Sequence, residues 1–378
     1  MIISGNKTNQ LQMQINQLSG IMFSSGRIVP DKNYWHHSLE TAFKLGNPAP
    51  FAETLSHYSW KSIAADISRL YTQLNSQLVS IPLNAGNIRN ISTPNISPEG
   101  SGRFPKLFKE LCKLWRKGLG NLCKGMYLHG SLATDDWTNY SDCDILIVLK
   151  NSSVTNAEKL LKLRKLLLEG FSILKVFDPH QHHGFFIASE MDLNYYPESM
   201  LPVACLENGK TIQGANELTF YVRPNKFEAI ELCISASNRI ISRCNENIYD
   251  WSGYKLKGFL SGLMLLPALV LGAKELFIYK RESFSEAKDL FTEDEWSVVE
   301  WAGRLRQNWP AESRYLNTYR KLGNIHFANR YVDFALRRLG LDKASDFINT
   351  DHNESQLASA RSFAKKCLYL ANESRKNT

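Results

Sequence analysis

The chain has 378 residues, 43% of them apolar, which is enough for two or three cores of ordinary size and far from the composition of a disordered or fibrous protein. Lys and Arg number 45 against 37 Asp and Glu, a formal charge of +8 that suits polyanionic partners such as nucleic acid or nucleoside triphosphates. Seven scattered cysteines with no C-x-x-C pair argue for a reducing compartment. The opening MIISGNKTNQ has no charged stretch followed by an apolar core, so no signal peptide is expected and the expected location is the cytoplasm.

Residues 1–80 are expected to form an N-terminal helical region. Its clearest helix carries Trp60, Ile63, Ile67, Leu70, Tyr71, Leu74 and Leu78 at three- and four-residue spacing. Residues 81–104, crowded with Asn, Pro, Ser and Gly, have no periodicity and are expected as a linker or loop. From Pro105 to Leu119, Leu107, Leu111, Leu114 and Trp115 share one helix face while Lys106, Lys109, Lys113, Arg116 and Lys117 fill the rest. This is a basic amphipathic helix whose charged side either faces solvent or guides a polyanion.

A short apolar strand, Met126 to Leu128, then leads into Gly130 and Ser131, ten polar connecting residues, and a second strand carrying Asp142 and Asp144. Residues i and i+2 of a strand project from one face, so both acids are expected to point one way while Ile145 and Ile147 point the other. Like charges so close repel unless a cation lies between them, and a divalent ion with oxygen ligands is the usual answer. Gly130 lets backbone approach a ligand closely, and Ser131 with its neighbouring amides can receive an anion. The combination reads as metal plus polyphosphate, against the plainer reading of a metal-free hairpin.

Gly-Ser, ten residues and Asp-x-Asp opening an apolar strand resemble the nucleotidyltransferase superfamily typified by DNA polymerase β. The wording YLHGSLA with YSDCDILIVL is most similar to its aminoglycoside adenylyltransferase and minimal-nucleotidyltransferase branches. Asp135-Asp136 stands where those branches often carry a glycine. The resemblance implies an α+β fold, with a small mixed sheet flanked by helices over residues 105–224 and a helical bundle over 225–378. It also implies two Mg2+ ions, or Mn2+, held by Asp142, Asp144 and a third carboxylate on a neighbouring strand. Gly130 and Ser131 would hold the triphosphate.

Further along, Ala157 to Phe171 is patterned as a helix ending at Gly170, and Ile173 to Phe177 reads as a strand. From Gly184, alternation suggests a strand with Phe185, Ile187, Met191 and Leu193 on one side and Glu190 with Asp192 on the other. Asp192, in Met-Asp-Leu, resembles the superfamily's third carboxylate, with Glu190 in reserve. His180, His182 and His183 form a cluster without the further ligands a zinc site draws on, and are expected to line the sheet edge; His129 is expected to pack.

The last third reads as helices over Lys226–Asn245, Tyr254–Ala273, Ser283–Leu290, Glu293–Gln307, Phe327–Leu339 and Glu354–Ala371. The run GFLSGLMLLPALVLGA is shorter than a bilayer span and contains Pro267, so a buried bundle helix is expected rather than membrane insertion. By resemblance Lys280 is expected to contact phosphate, with Lys274 second. The expected activity is transfer of a nucleoside monophosphate from an NTP or dNTP to a hydroxyl acceptor with loss of pyrophosphate. The acceptor is expected to be a nucleotide or oligonucleotide, as in template-independent synthesis of an anti-phage defence signal, with a protein effector or antitoxin as partner. An aminoglycoside-like small molecule, a tRNA or protein target, and a nucleotide-binding scaffold without turnover are the alternatives.

Overall fold

The computed structural model describes residues 60–78, 88–96, 104–134, 136–181, 183–199, 201–223, 226–322, 329–348 and 353–376. The expectations for residues before Trp60, for most of the linker, for Asp135 and for His182 lie outside these residues. The fold is α+β. A four-stranded mixed sheet has the order β4 (Phe186–Ser189), β3 (Asp144–Leu149), β2 (Cys123–His129), β6 (Lys210–Gly214); β4 runs parallel to β3 and the other pairs are antiparallel. A second sheet pairs β1 (Ile88–Ser92) antiparallel with β7 (Glu217–Arg223), which also carries the two-residue β5 (Tyr196–Pro197).

Alternation along β3 builds both cores. Ile145, Ile147 and Leu149 pack with Met126, Leu128 and the apolar stripes of α1 (Trp60–Leu78), α2 (Pro105–Leu114) and α3 (Ala157–Phe177). Leu146 and Val148 face the other way, onto Tyr127, Tyr196, Leu206, Leu218 and Phe220 of the second layer. The lysines and arginine of the basic helix are exposed, with Lys113 paired to Glu110 and Lys117 to Glu169. That helix ends at Leu114 rather than Leu119, because the following turn widens around Gly118 at φ 142°.

Three local expectations are corrected. α3 does not end at Gly170 but continues to Phe177, replacing the strand expected over Ile173–Phe177. Gly170 is a packing glycine, since a Cβ there would stand 2.8 Å from Leu114 and from Phe185. The strand expected to run from Gly184 through Leu193 stops at Ser189, where a helical turn, Glu190–Leu193, begins under a capping box. Residues 88–92, within the stretch read as linker, form β1 with Ile91 buried; their partner strand lies more than a hundred residues away, so no local pattern announces it.

The C-terminal part is a helical bundle: α4 (Lys226–Arg243), α5 (Gly253–Leu263), α6 (Leu266–Gly272), α7 (Lys280–Lys288), α8 (Glu293–Gln307), α9 (Arg314–Leu322), α10 (Asn329–Arg338) and α11 (Asn353–Lys376). α9 has no counterpart in the sequence reading. The stretch Gly253–Gly272 is apolar and long enough by composition to cross a membrane. Here it breaks ahead of Pro267 and buries Leu256, Phe259, Leu260, Leu263, Leu266 and Val270 in the bundle core.

Candidate active site

The Gly-Ser turn and the Asp-x-Asp stretch meet at one end of the main sheet. β2 ends at His129, which pairs with Asp144 at the start of β3, so the two signatures are neighbours by register. Gly130 turns the chain at φ 71°, and a Cβ on it would lie 2.7 Å from Asp144 Oδ2. Glycine is required twice over, by backbone conformation and by the carboxylate against it. Ser131 Oγ donates to Ser141 Oγ at 2.9 Å, which in turn accepts the Thr138 amide at 2.9 Å, bracing the connecting loop.

That loop is tied to the bundle. The Tyr140 hydroxyl donates to the Lys257 carbonyl at 2.7 Å, the Asn139 amide to the Trp309 carbonyl at 3.3 Å, and Arg281 pairs with Asp136 at 2.6 Å. Asp142 stands just ahead of β3 rather than within it, a correction to the expected strand, because the Cys143 amide is taken by the Gln181 side chain instead of a neighbouring strand. Lys257 of α5, fully buried, places its ammonium against Asp142 Oδ1 and against Asp178 Oδ2. Burial raises the Asp178 carboxyl; Lys257 opposes this and Asp142 adds to it.

Lys280, at the start of α7, is half-buried near the same acids. Its ammonium is pushed down from 10.5 to about 8, chiefly by burial and then by Arg306, against the pull of Asp144 and Asp142. Arg306, in the last turn of α8, keeps its Nε buried without a hydrogen-bond partner. Lys280 thus lies within electrostatic reach of a second cation, Arg306, and of both acids. Lys274 is exposed just past the end of α6. His129 is buried, which lowers its imidazole pKa against the opposing pull of Asp144, and its ring is edge-on to Phe186 at 5.0 Å.

Asp192 is elsewhere. Its carboxylate accepts the Ser189 amide at 2.6 Å to close the capping box and the Tyr71 hydroxyl at 3.0 Å. Ser189 pairs with Leu149, five residues along β3 from Asp144, so Asp192 belongs to the opposite end of the sheet, about 16 Å away at ~3.3 Å per residue. Glu190, at the same end, accepts the Asn151 amide at 3.0 Å. The acidic side chain beside Asp142 is instead Asp178, which follows the extended α3. In the sequence it is masked by the strand pattern of Ile173–Phe177 just before it. Lys257 was legible in principle, as a lone cation on the buried face of an apolar helix. Of the histidines, His180 is buried, 2.9 Å from Asp342 and stacked on Tyr315, and His183 is exposed.

These residues do not fit a two-ion cage. Asp142 is already paired with an ammonium, Asp192 is remote, and among the described residues no three His, Cys, Asp or Glu side chains gather closely enough to hold a metal.

Residues 105–175 match the sequence model of the nucleotidyltransferase domain. No curated protein matches the chain. Among solved structures, spectinomycin adenyltransferase AAD(9) from Enterococcus faecialis, with ATP and spectinomycin, is similar at 14% identity and a TM-score of 0.32, over 61% of this chain and 98% of its own.

Proposed function

From the premise that residues 105–175 are a nucleotidyltransferase domain and the chain a transferase, we propose that it moves a nucleoside monophosphate from an NTP or dNTP to a hydroxyl acceptor. The observation that supports this reading is that Asp144 closes against the Gly130 turn while Lys280, with Arg306 near it, lies within electrostatic reach of that carboxylate. Lys280, Arg306 and Ser131 hold the triphosphate. Asp144 faces the α-phosphate and takes the proton of the incoming hydroxyl. The new bond joins that oxygen to the α-phosphorus, the α–β bridging bond breaks, and pyrophosphate leaves with its electrons. The protein's contribution is position and charge, since the in-line displacement asks for no covalent intermediate.

The acceptor proposed is a nucleotide or oligonucleotide, extended without a template; the +8 charge and the exposed basic side of α2 support it. An anti-phage defence signal is a product of this class. The test is incubation with each labelled NTP and dNTP. Labelled oligomers are expected from the wild type and none from Asp144→Ala; an undiminished rate in that variant ends the proposal. A second reading, nucleotide binding without turnover, is favoured by the engagement of Asp142 with Lys257, and is the outcome if nucleotide binds but no acceptor is labelled.

A further inference from the structure

Lys257 has an unusual position for a lysine. It lies on α5, between Leu256 and the buried Phe259 and Leu260, with no exposed surface, and both acids it touches come from the catalytic unit. Asp142 arrives from the loop after Tyr140, Asp178 from the end of α3, and the ammonium joins them from the bundle. The helix turn bearing it is fixed by the Tyr140 hydroxyl, which donates to the Lys257 carbonyl at 2.7 Å and shares a 2.6 Å hydrogen bond with Ser261 Oγ. The Tyr140 ring lies 5.1 Å from the ammonium. A cation is therefore built into the space between two carboxylates, where an ion pair without water is retained only if its geometry is held from several sides.

Divalent ions are general in nucleotidyl transfer, and the paired-ion arrangement needs a carboxylate that bridges both ions. Asp142 is the acid whose sequence position suits it to bridge with Asp144, and it is the acid Lys257 engages. The ammonium on Asp142 Oδ1 offsets the charge of that carboxylate and repels a divalent ion at its other oxygen, so the two occupants compete. Among the described residues no ammonium or guanidinium is within ion-pair distance of the Asp144 carboxylate, which acts on Lys280 from further off.

We propose that Lys257 is a resident cation that takes up Asp142, so that the site accepts one divalent ion per nucleotide, the ion that the triphosphate brings with it. This rests on the proposed binding of nucleoside triphosphates. The positive charge beside Asp142 is then permanent and independent of metal supply, and it comes from the bundle, which makes the bundle a component of the site.

The test counts Mn2+ bound to the full-length protein, by electron paramagnetic resonance, in the presence of the four α,β-methylene nucleoside triphosphates in turn. One Mn2+ per bound nucleotide, with no spin-coupled pair, is expected for the wild type. Two per nucleotide, with a spin-coupled signal, is expected for Lys257→Met, which removes the ammonium and leaves Asp142 and Asp178 to share divalent charge with Asp144. Asp178→Asn alone keeps the Lys257–Asp142 pair and should still hold one. Two ions in the wild type, or one in a folded Lys257→Met variant, overturn the inference. If Lys257→Met does not fold, the wild-type and Asp178→Asn counts decide. Failure of every nucleotide to bind removes the proposed function and this inference together, whereas a nucleotide bound with two ions removes only the latter.

Discussion

Replacing Lys280 by Met separates the site's electrostatic design from its packing. Burial and Arg306 hold this ammonium at about 8 instead of 10.5, so at neutral pH it stays charged in a place that disfavours the charge. The folded-state value is the lower one, so the penalty is fully present below pH 8, fades as pH rises from there, and is gone above 10.5. At about 1.4 kcal/mol per pH unit the displacement corresponds to roughly 3 kcal/mol, which solvent screening of a half-buried group reduces to about 1–2 kcal/mol. Lys280→Met is therefore expected to be more stable than wild type at pH 7, by a few degrees in thermal melts. The same change removes the proposed charged contact to phosphate, worth about 1.5–3 kcal/mol, so nucleotide affinity should fall by about 10- to 150-fold by titration calorimetry. A variant that melts lower at pH 7 would mean that Asp144 and Asp142 pair with Lys280 strongly enough to outweigh its burial. One that binds nucleotide unchanged would place the triphosphate elsewhere.

A lysine that loses its proton near pH 8 also predicts a pH profile: wild-type affinity for nucleoside triphosphate should decline as pH rises through about 8, and Lys280→Arg should flatten the decline, measured by titration across pH 6.5–9.5. Gly130→Ala should cost about 1–3 kcal/mol from the strained φ, and push the Asp144 carboxylate aside, so that turnover falls more than nucleotide affinity does. Asp192→Ala should lower stability by about 1–2 kcal/mol through loss of the cap and of the Tyr71 contact, and leave the nucleotide dissociation constant unchanged. A large loss of transfer without loss of stability in that variant would return Asp192 to the active end.

What the sequence made legible was local. Gly130 and Asp144 announce each other because an acid pressed against a turn needs a residue without a side chain, and β3 alternates between two cores over six residues. Non-local demands were hidden. Gly170 reads as a helix stop by propensity, yet it is there to admit Leu114 and Phe185, and the misplaced helix end took Asp178 out of view. Asp192 sits between apolar residues as a strand acid would, but Ser189 three residues before it makes the same segment a capped helical turn. Lys280 is singled out only by resemblance; Arg306, in the last turn of a helix with several arginines, carries no local mark that sets it apart from a dipole-complementing surface residue.

The connections across the site explain why the bundle cannot be regarded as an appendage. The loop between Ser131 and Asp142 packs Leu132 and Ala133 into the core beneath the sheet and Trp137 against Phe104, and its shape is completed by Lys257 and Ser261 of α5, by Arg281 and by Trp309 from the bundle. Two of the cations facing the acids, Lys280 and Arg306, come from α7 and α8. On the sheet side, His180 contacts Asp342, whose Oδ1 also accepts the Gly253 amide at 3.0 Å, so the residue that anchors the loop after α3 also caps the helix bearing Lys257. The acids thus come from the sheet and the positive charge from the bundle, and nucleotide affinity and the position of Asp142 both depend on how the two halves are packed together.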